Sequence, residues 1–306
     1  VAYAVSSGTT LTFTAAPSTN SGNNIFVYYL FKTVGTIDHP ATSALSATSG
    51  TFTTKVGIGV TTANAKLSLP AQASGDSGVA RLAIESAVDS NDFTIAQYED
   101  SNGTYTQIGQ NVSLDGSGNT TVLDSGHKTA SILFDGRSNG ALMFQTGGTN
   151  TSTENMRIDA NGAVTMSNQP AFLATNTNGS QTNIAVGALV DVNFSVEVFD
   201  QNSDFASSTF TAPVAGRYQF NVNCRLDDMD SASSYYIIRL VTSNRVFTHI
   251  WDSNEFSSDM DYFSLQVSCL TDMDASDTAK VIVYQNNGTQ QTAVIDASWF
   301  SGHLVC

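Results

Sequence analysis

The chain has 306 residues, of which 41% are hydrophobic and 13% charged, a composition that predicts a folded protein of about two domains rather than a disordered one. Its 27 acidic and 12 basic residues give a net charge of −15. A nucleic-acid partner is not expected, because the basic footprint is missing. Membrane insertion is not expected either, since the longest apolar run, residues 184–190, is far short of the ~20 residues that span a bilayer.

Apolar and polar residues alternate with period two over much of the chain, most clearly in residues 218–226 and 263–269. Such alternation is typical of half-buried strands, and runs with a helical period are scarce. The sequence therefore predicts an all-β fold.

The first 67 residues divide into two parts. Residues 1–40 contain two strand-like runs, 11–13 and 25–31, joined by a turn-rich linker, and they predict an N-terminal β module. We expect this module to continue upstream of Val1 or to pack against another chain. Residues 41–67 are rich in Ser, Thr and Ala and hold too few apolar residues for a core of their own. We expect this segment to be a narrow shaft or linker in which several chains run side by side.

Residues 68–166 predict a middle β-rich module of short strands. The strands are separated by Asn-Gly and Asp-Gly pairs, which favour hairpin turns because these residues tolerate positive φ. The pairs are Asn102-Gly103, Asp115-Gly116, Asp135-Gly136, Asn139-Gly140 and Asn161-Gly162.

Two short segments carry a resemblance to a known class of protein. Residues 154–164, which read Glu-Asn-Met-Arg-Ile-Asp-Ala-Asn-Gly-Ala-Val, resemble a recurrent segment of phage tail-fibre and other virion-appendage proteins. Residues 56–62, followed by Ala65-Lys66-Leu67, are similar to a second such segment. The resemblance implies a structural protein of a virion fibre.

Residues 167–306 resemble the globular head of the complement first-component family, which shares its jelly roll with tumour necrosis factor. The chain departs from the pattern of this family at two places. The interval from Phe205 to Phe210 is two residues shorter than usual, and Val222 stands where an aromatic residue is customary. The resemblance implies a C-terminal jelly-roll head that associates as a homotrimer. The residues that carry it are Phe194, Asp200, Phe205, Phe210, Gly216, Tyr218, Phe220, Phe300 and Gly302.

Two clusters of aspartates in the predicted head are candidate calcium ligands, because calcium prefers loops rich in oxygen ligands. The alternative is that they form solvated acidic loops. A calcium ion at the three-fold axis is a hypothesis, and no other cofactor is expected. The clusters are Asp227, Asp228 and Asp230, and Asp272, Asp274 and Asp277.

Catalytic motifs are weak. Residues 75–78, Gly-Asp-Ser-Gly, resemble the segment around a serine-protease nucleophile but lack a matching histidine segment, so a loop is favoured. Residues 115–119 space oxygen ligands as a calcium loop does, yet a hairpin turn is favoured because the closing glutamate is absent. The four histidines show no zinc spacing. An enzyme is not expected, and a polysaccharide depolymerase is the enzymatic alternative.

Three cysteines are too few for a disulfide framework. Cys224 and Cys269 lie on the apolar phase of alternating strands, so buried thiols are favoured over a disulfide. Cys306 could cross-link protomers in an oxidising setting.

These features predict an elongated, non-enzymatic homotrimeric fibre: an N-terminal β module, a shaft, a middle β module and a jelly-roll head. We expect a location in the virion, other virion proteins as partners, and host attachment through the head to a surface receptor or glycan. Two alternatives stay open. One is a capsid or neck decoration fibre with a purely structural role, and the other is a secreted bacterial adhesin or filament subunit.

Overall fold

The computed structural model describes residues 3–7, 10–13, 56–57, 65, 67–68, 80–137 and 140–306. In this part of the chain the regular structure is β-strand, apart from one 3₁₀ helix at Ser253–Glu255. The prediction of an all-β fold is therefore confirmed. Within the same residues, no helix has the length and apolar character needed to cross a membrane.

Two compact units make up the chain, one comprising residues 1–56 with 63–67 and the other residues 57–62 with 68–306. In the first, β1 (Tyr3–Ser7) and β2 (Thr10–Phe13) form an antiparallel hairpin. The strand predicted at residues 11–13 is confirmed. The run at 25–31 and most of the predicted shaft lie outside the described residues, as do residues 75–78, and the four module boundaries stay predictions.

The first part of the second unit is a seven-stranded antiparallel sheet in the order β13-β12-β11-β10-β7-β6-β5. A hairpin of β8 and β9 packs on one face, where it closes a core of Ala96, Tyr98, Tyr105, Leu114, Leu133 and Met143. The strands of the sheet and the hairpin are β5 (Ala80–Ile84), β6 (Phe93–Asp100), β7 (Gly103–Gln110), β8 (Val112–Leu114), β9 (Thr120–Val122), β10 (Thr129–Asp135), β11 (Ala141–Gly147), β12 (Thr153–Asp159) and β13 (Val164–Thr165). Two short strands that precede them, β3 (Val56–Gly57) and β4 (Leu67–Ser68), form a separate two-stranded sheet.

Turn chemistry explains why these strands fold into hairpins. In the β8–β9 turn, the Asp115 carboxylate accepts the backbone N–H groups of Ser117 and Asn119 at 2.8 Å each. Gly118 takes a φ of +78°, which favours glycine. The prediction of a hairpin turn at residues 115–119 is confirmed.

The C-terminal part is a sandwich of two antiparallel sheets. One has the order β16-β14-β25-β19-β22 with β24 beside β19, and the other has the order β17-β18-β23-β20-β21 with β15 beside β23. The strands are β14 (Ala171–Thr175), β15 (Val190–Asp191), β16 (Val196–Asp200), β17 (Phe205–Ala206), β18 (Thr209–Thr211), β19 (Gly216–Asp227), β20 (Tyr235–Thr242), β21 (Val246–Trp251), β22 (Phe263–Met273), β23 (Thr278–Asn286), β24 (Ala293–Val294) and β25 (Trp299–Leu304).

The chain passes repeatedly from one sheet of the sandwich to the other. Strand β19 is in the first sheet, β20 and β21 are in the second, β22 is in the first, β23 is in the second, and β25 returns to the first. A chain whose successive strands cross between two packed antiparallel sheets has a jelly-roll-like architecture. We call this sandwich the head.

The residues of the predicted head signature build the core between the two sheets. Its six aromatic members, Phe194, Phe205, Phe210, Tyr218, Phe220 and Phe300, are all buried there. The Phe172 ring stacks on Phe205 at 4.7 Å and on Phe210 at 5.0 Å between ring centroids. The signature therefore specifies packing rather than a binding site.

The non-aromatic members of the signature have structural roles as well. Asp200 accepts backbone N–H groups of the following loop. A Cβ atom at Gly216 would lie 2.6 Å from the Leu304 side chain, so only glycine fits without movement. Gly302 is constrained in the same way by the Phe172 ring, at 2.8 Å.

Candidate functional site

The first acidic cluster, after β19, is organised by Asp230, which is 4% exposed. Its Oδ1 accepts the backbone N–H of Ala232 at 2.7 Å, and its Oδ2 accepts that of Thr289. Its own N–H donates to the Tyr236 hydroxyl at 2.9 Å. The carboxylate thus joins two loops of the head through backbone donors, a structural role that needs no cation.

Asp259, which sequence reasoning did not single out, completes this loop cluster. It accepts the backbone N–H of Ser231 at 2.9 Å, the Ser231 hydroxyl at 2.8 Å and the Gln291 amide at 2.9 Å. These hydrogen bonds, first the backbone one, lower the pKa of Asp259. In the sequence, Asp259 lies 28 positions from Ser231 and 32 positions from Gln291. No local motif could therefore indicate these contacts.

The second acidic cluster caps the β22–β23 hairpin. Asp272 forms a two-pronged ion pair with Arg245, at 2.8 and 3.1 Å, and this hydrogen bonding lowers the pKa of Asp272. Asp277 accepts the Asn244 amide at 2.7 Å and the Asp274 backbone N–H at 2.8 Å.

The two clusters lie at opposite ends of one ladder. Strand β19 pairs with β22 so that Arg217 faces Asp272 and Leu226 faces Phe263. Asp227 directly follows Leu226, so about ten strand positions, roughly 34 Å, separate it from Asp272. The six predicted candidates therefore do not form one common site within a chain.

The outward face of the sheet β16-β14-β25-β19-β22 has a different character. A shallow groove opens on it, lined by Leu173, Thr175, Phe199, Trp299 and Ser301. Leu173 pairs with both Phe199 and Ser301 in the ladder, which places these side chains on the same face. Phe199 is 50% exposed, so an aromatic ring meets water here.

Uncharged amides continue this face onto β19 and β22. The Gln219 amide donates to Ser268 Oγ at 3.0 Å, and Ser268 Oγ donates to Asn221 Oδ1 at 2.7 Å. The Gln266 amide donates to Asn223 Oδ1 at 3.1 Å. In a chain of net charge −15, such an uncharged surface is a candidate for contact with another molecule. We call the groove and these amides the outward head face.

The middle module brings together three titratable side chains that the sequence left apart. His127 places Nε2 3.5 Å from Asp89 Oδ2 and Nδ1 3.4 Å from Asp124 Oδ2. The group has ligand types found in metal sites. Asp124 Oδ1 also accepts the Gly126 N–H at 2.7 Å, so the turn itself uses this carboxylate.

The segment that resembles a fibre sequence forms the β12–β13 hairpin. Asp159 Oδ1 accepts the backbone N–H groups of Asn161 and Ala163 at 2.9 Å each. Arg157 pairs with Glu154 at 2.7 Å. Met156 and Ile158 alternate with Arg157 along β12 and therefore lie on the other face of the sheet. The motif thus encodes a closed turn, an ion pair and an apolar row.

The cysteines are all free thiols. Cys224 is fully buried, and burial raises its pKa. Cys269 is partly buried in the ladder opposite Phe220, and burial raises its pKa to about 11. Cys306 is exposed. The prediction of a buried thiol is confirmed for Cys224, whereas Cys269 faces inward but is only partly buried.

No protein-family model matches the chain, and no curated protein sequence matches it. Among solved structures, the globular domain of zebrafish complement 1qA protein is similar, with 16% identity and a TM-score of 0.35 over 45% of this chain and 98% of that one. Murine APRIL has 11% identity and a TM-score of 0.33 over 45% and 99%. PRD1 vertex protein P5 has 13% identity and a TM-score of 0.33 over 45% and 98%.

Proposed function

We propose that the chain is a homotrimeric virion fibre protein whose head joins three copies and contacts the host surface. The observation that carries the proposal is the outward head face, an apolar groove continued by uncharged amides. Buried interfaces are enriched in aromatic residues and depleted of charge at their centre. This surface has that composition, whereas the loops at both ends of the sandwich are acidic.

A second exposed apolar strip lies on another part of the head. Val246 and Ile250 on β21 are 56% and 58% exposed and form this strip. They alternate with Phe247 and Trp251, which pack against the core, so they lie on the outer side of the second sheet, whereas the outward head face belongs to the first sheet. A contact between this strip and the groove of a neighbouring copy is heterologous, and heterologous contacts generate closed rings when the rotation closes. Two different patches therefore support a cyclic assembly.

Light scattering of the purified full chain tests the assembly. We expect about 97 kDa, three times the 32.3 kDa chain mass. Phe199→Glu should shift the mass towards the monomer, because it places a charge in the groove. Leu189→Glu is the matched control, since Leu189 is also an exposed apolar residue, at 56%, but lies outside the groove and the strip. A monomeric wild-type chain would overturn the proposal.

The virion role rests on the β12–β13 hairpin, which resembles a segment of phage fibres. Mass spectrometry of purified virions should detect the chain, and added full-length chain should reduce adsorption of those virions to the host. A chain that is present in virions but does not compete would favour the decoration fibre. A chain found in bacterial secretions and not in virions would favour the adhesin.

A further inference from the structure

We propose that the open face of the seven-stranded sheet is a second interface between copies of this chain, separate from the head. The open face is the one opposite the β8–β9 hairpin. This inference rests on the proposed homotrimer, because it needs neighbouring copies, but it concerns a different module and different residues.

One row of the open face is apolar across six neighbouring strands. Residues that pair directly in a ladder point to the same side of the sheet. The ladder pairings from β5 to β12 connect Leu82, Ile95, Ile108, Ile132, Phe144 and Met156 in a single line.

A second row lies beside the first on the strands from β10 to β13. It consists of Phe134, Leu142, Ile158 and Val164, which are joined by direct pairings. Ile84 and Phe93 pair with each other on the other side of the first row. Twelve large apolar side chains thus share one face.

Two ion pairs of this sheet lie on the opposite side, whereas Glu99, which pairs with Thr104, shares the open face but lies outside the apolar rows. Arg157 and Glu154 pair with each other, and Arg157 also contacts Met143 of the covered core at 3.2 Å. Arg137 pairs with Asp135 at 3.0 Å and covers the Tyr105 ring at 4.3 Å. A sheet with one face in water places its polar residues on the solvated face. Here the Arg157–Glu154 and Arg137–Asp135 pairs lie instead on the side of the sheet that carries the β8–β9 hairpin.

The open face is exposed in the described part of the chain. There, β8 packs against β6, β7 and β10, and it does so through Leu114 on the covered side. Ile84 is 65% exposed and Phe134 is 46% exposed. Six inter-strand spacings make the face about 29 Å wide, and contiguous apolar patches of more than a few hundred Å² mark interaction sites.

The occupant we infer is the same face of neighbouring copies. The chain carries a charge of −15, and like charges oppose contact between its acidic surfaces. The three rows just described contain no Asp, Glu, Lys or Arg, so nothing in them repels a second copy. Self-association is therefore favoured at the open face rather than at the other surfaces of the middle module.

The junction between the middle module and the head also supports contact between the open faces of neighbouring copies. Gln201 donates to the Met166 carbonyl at 2.6 Å, and Asn202 donates to the Asn168 carbonyl at 2.8 Å. Ser167 Oγ donates to the Glu154 carbonyl of β12 at 3.1 Å. Because this short junction is bonded to both modules, three copies joined at the head bring three open faces together at high effective concentration.

Cross-linking of the full chain tests the inference. In a Cys306→Ser background, Ile132→Cys places a thiol on the central strand of the open face. A short bismaleimide should convert it to covalent dimers. Ser125→Cys, an exposed position in the β9–β10 turn, is the matched control and should stay monomeric in denaturing gels. Phe144→Cys, the ladder partner of Ile132, provides a second variant if Ile132→Cys does not fold.

The outcomes separate this inference from the proposed function. A trimeric wild-type chain whose Ile132→Cys and Phe144→Cys variants do not cross-link overturns the inference and leaves the head assembly standing. A wild-type chain that is monomeric overturns both. Slow maleimide labelling of the Ile132→Cys thiol that is independent of protein concentration would show that the same chain covers the face, which also overturns the inference.

A charge substitution gives an independent measurement. Phe134→Asp should raise the protein concentration at which half of the trimer dissociates by at least tenfold, because it desolvates a carboxylate in an apolar contact. Ser125→Asp introduces the same charge outside the face and should leave that concentration unchanged. Equal dissociation of the two variants would contradict the inference.

Discussion

The carboxylate of Asp200 accepts the backbone N–H of Phe205 at 2.8 Å, and it also accepts that of Asp204 at 3.0 Å. The carboxylate of Asp204 is in the opposite situation, since its buried Oδ2 has no hydrogen-bond partner among the described residues. Burial, and next the charge of Asp200, raise the pKa of Asp204. Neutralising Asp204 should therefore stabilise the folded head, whereas neutralising Asp200 should destabilise it.

Asp204→Asn is expected to raise the melting temperature at pH 7. An acid whose pKa is raised by folding stabilises the native state at low pH, and that stability is lost as pH rises through its folded pKa. At neutral pH the ionised Asp204 is therefore destabilising, and the amide removes the charge. Calorimetry at pH 7 and pH 3 should show a gain that shrinks at pH 3. A lower melting temperature at pH 7 would contradict this.

Asp200→Asn is the matched variant and should destabilise the head by about 1–3 kcal/mol, the cost of leaving a buried N–H group unsatisfied. Urea unfolding followed by fluorescence measures the change. An unchanged free energy of unfolding would show that water replaces the lost acceptor.

Gly302→Ala should destabilise the head by about 1–3 kcal/mol, as overpacking of a close-packed core does. The added Cβ would lie 2.8 Å from the Phe172 ring and would also overlap the Phe220 ring. Gly148→Ala is the control, because the nearest atom to its added Cβ is 3.6 Å away. Thermal unfolding of both variants checks the prediction, and similar melting temperatures would refute it.

Thiol labelling at pH 8 should modify one cysteine per native chain rapidly. Cys306 is exposed, Cys224 is fully buried, and the raised pKa of Cys269, about 11, leaves little thiolate at this pH. Denaturation should release all three thiols, and Cys306→Ser should abolish the rapid phase. Two rapid thiols in the native wild-type chain would mean that the strand β22 opens.

Calcium should not raise the melting temperature of the head. Backbone N–H groups already bind both oxygens of Asp230, and Arg245 binds both oxygens of Asp272, whereas calcium takes six to eight oxygen ligands. Scanning calorimetry with calcium, with EDTA and with sodium chloride at equal ionic strength tests this. A rise specific to calcium would support the hypothesis of a calcium ion in the trimer.

Much of the first sheet of the head could be predicted from the sequence because β19 and β22 bury one apolar face and carry largely polar residues on the other. Residues 218–226 alternate strictly, and Tyr218, Phe220 and Leu226 of β19 are fully buried. The open face of the middle sheet could not be predicted in this way. Ile132, Leu133 and Phe134 are consecutive and apolar, so the sequence alone does not tell which phase is covered within the chain.

The side-chain contacts of the candidate sites could not be predicted from local sequence for a different reason. Asp259 meets Ser231 across 28 positions, and Asp89 meets His127 through the approach of two loops. Such pairs depend on tertiary geometry, and isolated acidic residues give no signal of it. Turns such as 115–119 were predictable because the aspartate and the glycine act within four residues.

The seven-stranded sheet ends at β13, which has two residues. A terminal strand this short offers very few free N–H and C=O groups, so another strand has almost no template on which to add. Uncontrolled growth of the sheet into amyloid-like ribbons is thereby limited at this edge. A chain with a broad apolar sheet face can thus be produced in many copies while edge-to-edge aggregation through β13 is suppressed.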